Sequence, residues 1–154
     1  MLKVKTSSSS ATKALAAKLA KLLPSPLVIA LNGNLGTGKT TFVQGFCRAL
    51  KVEGPVTSPS FTLLNNYAGK LPVQHIDLYR LASEAEIELL GLEEYLPPSC
   101  GYTLVEWAEH APQLLPKTLL TINFRDLGDD KRELGLAYQG LPAKTLKDIE
   151  SNIP

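Results

Sequence analysis

Gly33-Asn34-Leu35-Gly36-Thr37-Gly38-Lys39-Thr40-Thr41 is the stretch on which the fold turns. Gly33, Gly38, Lys39 and Thr40 occupy the fixed positions of the phosphate-loop pattern G-x-x-x-x-G-K-[ST]. The pattern is short, so its flanks carry the argument. Upstream, Leu27-Val28-Ile29-Ala30-Leu31 is a continuous apolar run, as expected of a buried parallel strand. Downstream, Phe42, Phe46 and Leu50 recur every four residues beside Val43, which predicts one apolar face of a helix. Strand, glycine-rich loop and helix, in that order, are the setting the motif requires.

Each residue type has a chemical reason. Glycines let the backbone approach an oxyanion in conformations that a Cβ forbids. Successive amides then point into one concavity, and the new helix adds the positive end of its dipole. Lys39 supplies a mobile cation for β- and γ-phosphates. The Thr40 hydroxyl suits a Mg²⁺ ion bridging those phosphates. The competing reading is a glycine-rich turn that binds nothing, and four matched positions with both flanks correct weigh against it.

Composition bounds the rest. A chain of 154 residues predicts one domain, 1–154, with a proper core. Hydrophobic residues at 44% and charged residues at 20% are ordinary for a soluble globular protein. A net charge of +1 argues against tight autonomous binding to nucleic acid. Cys47 and Cys100 lack metal-ligand spacing and read as reduced, buried thiols of a cytoplasmic protein. No apolar run approaches membrane-spanning length.

Met1 to Thr6 alternates weakly and predicts an edge strand. The serine run Ser7 to Ser10 supplies a helix cap, with Ser10 as candidate, before an amphipathic helix over Ala11 to Leu23. Thr57-Ser58-Pro59-Ser60-Phe61 lies in a proline- and hydroxyl-rich loop about twenty residues past the motif. Such loops in phosphate-loop enzymes often move with the nucleotide state; a plain connection is the even alternative. Thr62–Tyr67 and Leu71–Tyr79 predict a hairpin around Ala68-Gly69-Lys70. Ser83 to Glu86 is a capping box before a helix whose apolar side is Ile87, Leu89 and Leu90, ended by Gly91. Its glutamates read as a solvated face. A second hairpin joins Thr118–Phe124 to Glu133–Tyr138 through a turn at Leu127 to Asp130, and Leu141 to Ile153 predicts a last helix. The sum is an α/β protein of three layers with a mixed, mainly parallel sheet and antiparallel hairpin additions.

Two acids compete to serve a metal. Asp77 ends the strand His75-Ile76-Asp77, where an open α/β sheet places ligands. Glu106 ends the run Tyr102-Thr103-Leu104-Val105-Glu106, just before Trp107. On general grounds His75 is a structural or surface histidine and Arg80 a surface ion pair. Without an Asn-Lys-x-Asp guanine-reading motif, ATP is favoured over GTP.

Taken together the sequence resembles the TsaE family of bacterial ATPases, which act in making N6-threonylcarbamoyladenosine in tRNA. The resemblance spans nearly the whole chain. Beyond Gly33 to Thr41 it rests on Val56 to Phe61, His75-Ile76-Asp77-Leu78-Tyr79-Arg80-Leu81, Glu88 to Leu92 and Leu104-Val105-Glu106-Trp107. It implies a P-loop NTPase fold and ATP and Mg²⁺ as cofactors. Gly33, Asn34, Leu35, Gly36, Thr37, Gly38, Lys39, Thr40 and Thr41 would hold phosphates, with Thr40 and Glu106 on Mg²⁺. Asp77 would orient the attacking water, making Asp77, Lys39 and Glu106 the catalytic set. Thr57, Ser58, Pro59, Ser60 and Phe61 would form a switch loop, and Trp107 would shape the site. Ser9 and Arg132 fall where the family contacts the base and sugar. Partners would be a TsaB–TsaD heterodimer, with tRNA reached only through it, and no membrane. Two departures are visible: Ser60 stands where threonine is frequent, and Ala108 where proline is common. A small-molecule kinase and a non-hydrolysing nucleotide-dependent scaffold are the alternatives.

Overall fold

The apolar run at Leu27–Leu31 is strand β2 (Leu27–Asn32), and its surroundings explain its composition. Leu27, Ile29 and Leu31 enter one hydrophobic cluster, together with residues of helices α1 (Ser9–Leu22) and α2 (Lys39–Ala49). Val28 and Ala30 enter a second cluster with Ile76, Val105 and Ile87, the last on α3 (Glu84–Leu89). Both faces of the strand are covered, so no polar alternation survives. The structure, a computed structural model, describes residues 1–81 and 83–153.

The other strands and α-helix among the described residues are β1 (Leu2–Thr6), β3 (Leu64–Tyr67), β4 (Val73–Asp77), β5 (Tyr102–Glu106), β6 (Leu119–Gly128), β7 (Lys131–Gln139) and α4 (Ala143–Asn152). Among the described residues seven strands form one sheet in the order β1-β7-β6-β2-β5-β4-β3. At its centre β6, β2, β5 and β4 pair in parallel. The hairpins β3–β4 and β6–β7 add antiparallel edges, and β1 closes one edge against β7. This is the mixed α/β sheet with helices on both faces that the sequence predicts. Among the described residues no helix is long and apolar enough to cross a membrane.

Local chemistry corrects several boundaries. The cap of α1 is Ser8, whose Oγ accepts from the Ala11 amide at 3.1 Å, so the helix starts two residues before the predicted Ala11. In a run of four serines any member can cap, and the register of the apolar face decides. The β3–β4 hairpin is shorter than predicted. Leu63 is left-handed (φ 66°) just before β3, and Asp77 Oδ1 draws the Tyr79 amide into a turn at 2.9 Å. In the second hairpin only Asp129 and Asp130 form the turn, both left-handed (φ 51° and 57°). That is the two-residue geometry matching strand twist. Leu127 and Gly128 instead continue β6. The Ser83 cap accepts from the Glu86 amide at 3.3 Å. On α3 only Ile87 is buried; Leu89 is 87% exposed and Leu90 lies open as well. Cys47 is buried, and burial raises its thiol pKa to about 12, whereas Cys100 is exposed. The expectation of two buried thiols therefore holds for Cys47 alone.

Gly45 sets the approach of α1 to α2. A Cβ there would lie 2.5 Å from both Cα and O of Lys13, backbone atoms that cannot turn aside. Gly45→Ala should therefore push the helices apart. Overpacking of about 3 kcal/mol outweighs roughly 1 kcal/mol of gained helix propensity. We expect a melting temperature lower by roughly 4–8 °C, readable by calorimetry.

Candidate functional site

The carboxyl ends of β2, β5 and β4 lie side by side. Leu31 and Asp77 both register against Glu106, from opposite sides. In open α/β sheets this edge is where ligands sit. Here the chain leaves β2 through the loop Gly33–Gly38 and enters α2. Gly33 has φ 140°, and a Cβ on it would lie 2.7 Å from the Phe124 carbonyl oxygen. Gly38 precedes α2 in the left-handed region at φ 100°. Both positions explain why the pattern requires glycine there.

A cavity of about 400 Å³ opens over this edge. It is lined by Leu35, Gly36, Gly38, Lys39, Thr40 and Thr41 from the loop and α2, and by Asp77, Glu106 and Trp107 from the strand ends. Ser58, Ser60, Ser9 and Arg132 are also in its lining. Lys39 is 4% exposed, and its Nζ donates to the carbonyls of Gly33 and Asn34, the latter at 2.8 Å. The same ammonium stands 4.2 Å from the Trp107 ring centroid, a cation–π contact. Burial lowers the Lys39 pKa, opposed by the charges of Glu106, Glu109 and Asp77.

The acids are held differently. Glu106 Oε1 accepts the Thr40 hydroxyl at 2.8 Å and lies 2.8 Å from His75 Nε2. Asp77 Oδ2 accepts Ser58 Oγ at 2.6 Å and Ser60 Oγ at 3.1 Å, and the two hydroxyls are 2.8 Å apart. Asp77 is thus tied to the 57–61 loop, and Glu106 to the start of α2. The hydroxyl kept by Ser60 makes one of these bonds.

Some predicted residues lie elsewhere. Gly33, Asn34 and Thr37 back the loop rather than line the cavity; Thr37 Oγ1 donates to the Asn34 carbonyl at 2.7 Å. Thr57 turns to Tyr67, whose hydroxyl bonds its carbonyl at 3.1 Å. Pro59 is buried behind the loop. Phe61 is 83% exposed, with the Arg80 guanidinium 4.0 Å from its ring centroid, so Arg80 makes a cation–π contact rather than the expected ion pair. Arg132 does line the cavity, with its Nη1 paired to Asp126 at 2.9 Å. Sequence reasoning passed over three contributors. Tyr79 lines the cavity and stacks near Trp107, with ring centroids 5.1 Å apart. Glu109 accepts the Gly33 amide at 3.1 Å. His75 is fully buried against Glu106. Only the alternation of β4, which sets His75 on the face of Asp77, hinted at the last.

The residues fit a polyphosphate with a hard cation. A loop in which Gly33, Gly36 and Gly38 all take positive φ adjoins an ammonium, and a hydroxyl and a carboxylate converge within 2.8 Å beside it.

Residues 6–134 match the family model of "Threonylcarbamoyl adenosine biosynthesis protein TsaE". The tRNA threonylcarbamoyladenosine biosynthesis protein TsaE of Bacillus subtilis is 42% identical over 140 residues, covering 90% of this chain and 87% of its own. That of Haemophilus influenzae is 37% identical over 128 residues, covering 82% and 79%. The crystal structure of Bacillus subtilis YdiB superposes with a TM-score of 0.80 at 35% identity, covering 97% of this chain and 94% of that one. A family match over most of the chain, relatives alike in sequence and a neighbour alike in fold agree: this chain belongs to the TsaE family, named for threonylcarbamoyladenosine biosynthesis.

Proposed function

We propose that the chain is a cytoplasmic Mg²⁺-dependent ATPase with a P-loop NTPase fold, one domain over residues 1–154. It would support N6-threonylcarbamoyladenosine formation in tRNA by acting on a TsaB–TsaD heterodimer, reaching tRNA only through that pair. What carries the proposal is the convergence of Thr40 and Glu106 beside the Lys39 ammonium, at the mouth of the glycine loop.

The loop amides and Lys39 bind β- and γ-phosphate oxygens, with the Trp107 face limiting where the ammonium can go. Thr40 and Glu106 would hold Mg²⁺. The ion supplies charge neutralisation of the phosphate oxygens during transfer. Asp77 stands next to Glu106 on the neighbouring strand, where it can orient a water and accept its proton. Oδ2 now accepts two serine hydroxyls, so displacement of the 57–61 loop frees that oxygen for the water. This gives the loop a way to act as a switch. Ser9 and Arg132 also line the cavity and would serve the sugar and base. Intrinsic turnover should be slow. Arg132 is paired to Asp126 and Arg80 lies over Phe61, so a partner must complete the charge stabilisation.

Asp77→Asn tests the water-orienting role. Nucleotide affinity should stay within about threefold while single-turnover phosphate release slows by roughly 10²–10⁴, the usual worth of a general base. Normal turnover would remove Asp77 from the mechanism. The whole proposal is tested by reconstitution with a TsaB–TsaD pair and tRNA, following phosphate release and modified adenosine together. Both should depend on this chain. Modification that proceeds equally without it would overturn the proposal.

A further inference from the structure

The buried imidazole of His75 is absent from the chemistry proposed above, yet it touches the centre of that chemistry. His75 lies on β4 two residues before Asp77 and is fully buried. Its Nε2 is 2.8 Å from Glu106 Oε1, the oxygen that also accepts the Thr40 hydroxyl at 2.8 Å. Among the described residues Nδ1 is buried with no hydrogen-bond partner. A carboxylate oxygen is an acceptor, so the ring nitrogen facing it carries a proton. A second N–H on Nδ1 would be buried without an acceptor, which is costly. The arrangement therefore favours a ring protonated on Nε2 and bare at Nδ1.

What this bond does follows from the side chain it restrains. Glutamate has one more rotatable bond than aspartate, and a single hydrogen bond leaves its carboxylate free to swivel. Two donors arriving from different elements, α2 and β4, remove that freedom. Both use Oε1, and no hydrogen bond among the described residues reaches Oε2. Oε2 is left for a ligand in the cavity that Glu106 lines. We propose that His75 is a positioning residue, which holds Glu106 through an Nε2–H bond so that its second oxygen meets a divalent cation. The inference rests on the metal role proposed for Glu106. Supports of this kind around a metal ligand are usually worth about 10–100-fold in affinity.

The experiment measures Mn²⁺ affinity by electron paramagnetic resonance, with the full chain and a non-hydrolysable ATP analogue. His75→Leu should weaken binding by about 10–100-fold. His75→Gln places its amide N–H near the position of Nε2 and should recover most of that loss. His75→Asn, whose amide reaches only toward Nδ1, should not. A space-filling role alone would not separate His75→Leu from His75→Gln, whose side chains are similar in volume. Equal affinities for His75→Leu and the natural protein, or equal rescue by both amides, would overturn the proposal. A nitrogen-15 correlation spectrum of the unsubstituted protein reads the tautomer directly and needs no variant to fold. A ring without a proton on Nε2 would also overturn it. If Glu106→Ala binds Mn²⁺ as the natural protein does, the metal role of Glu106 fails first. If Glu106 matters and His75 does not, only this inference falls.

Discussion

Glu106→Ala should abolish Mg²⁺-dependent hydrolysis, with a loss of roughly 10²–10³ in turnover, because a metal is commonly worth several kcal/mol of transition-state stabilisation. It should also cost stability. Glu106 is 3% exposed and is the acceptor for both the Thr40 hydroxyl and the His75 ring. Truncation would leave a buried ring N–H unpaired, at about 1–3 kcal/mol. Loss of activity in that variant alone is therefore ambiguous. Glu106→Gln separates the effects: its amide oxygen can keep both bonds while the negative charge is removed. We expect this variant to melt near the natural temperature and still fail to turn over. Unchanged Mg²⁺-dependent turnover in the glutamine variant would end the metal assignment.

Lys39→Ala should weaken ATP binding by on the order of a hundredfold, the equivalent of about 2.8 kcal/mol for charge-assisted bonds to phosphate. Isothermal titration reads this directly. Its effect on stability has the opposite character. Burial lowers the Lys39 pKa, which means that the folded chain holds this charge at a cost. Removing the charge relieves that cost, against the loss of two bonds to loop carbonyls and the contact with Trp107. These changes offset, and the melting temperature without nucleotide should move little. Retained affinity would remove Lys39 from the phosphate site, whereas a large drop in melting temperature would reassign it to structure.

What could be read from the sequence was local. The glycine loop is legible because close backbone approach and left-handed φ values demand glycine at Gly33 and Gly38. Strand β2 is legible because covering both faces erases alternation. Glu106 and Asp77 stand out as acids ending apolar strands. What stayed hidden is non-local. Nothing in the local pattern says that β4 pairs with β5, and so nothing says that His75 reaches Glu106 on the neighbouring strand. The bond from the Gly33 amide to Glu109 spans 76 residues and leaves no periodic trace. Capping by Ser8 rather than Ser10 was hidden for another reason: neighbouring serines are chemically equivalent until a helix face is docked.

The edge formed by β1 has a consequence in time. Leu2 registers against Leu136, and Thr6 against Arg132. Strand β1 must therefore wait for β7, which among the described residues is the last strand in chain order, before it can pair. Strand β2, too, needs β5 and β6, both far downstream. Closing such long loops costs entropy before any contact repays it, so folding should be slow for a chain of this size. During that interval the unpaired strands are the segments most open to sticking to one another, and so the ones a holding chaperone would be expected to cover.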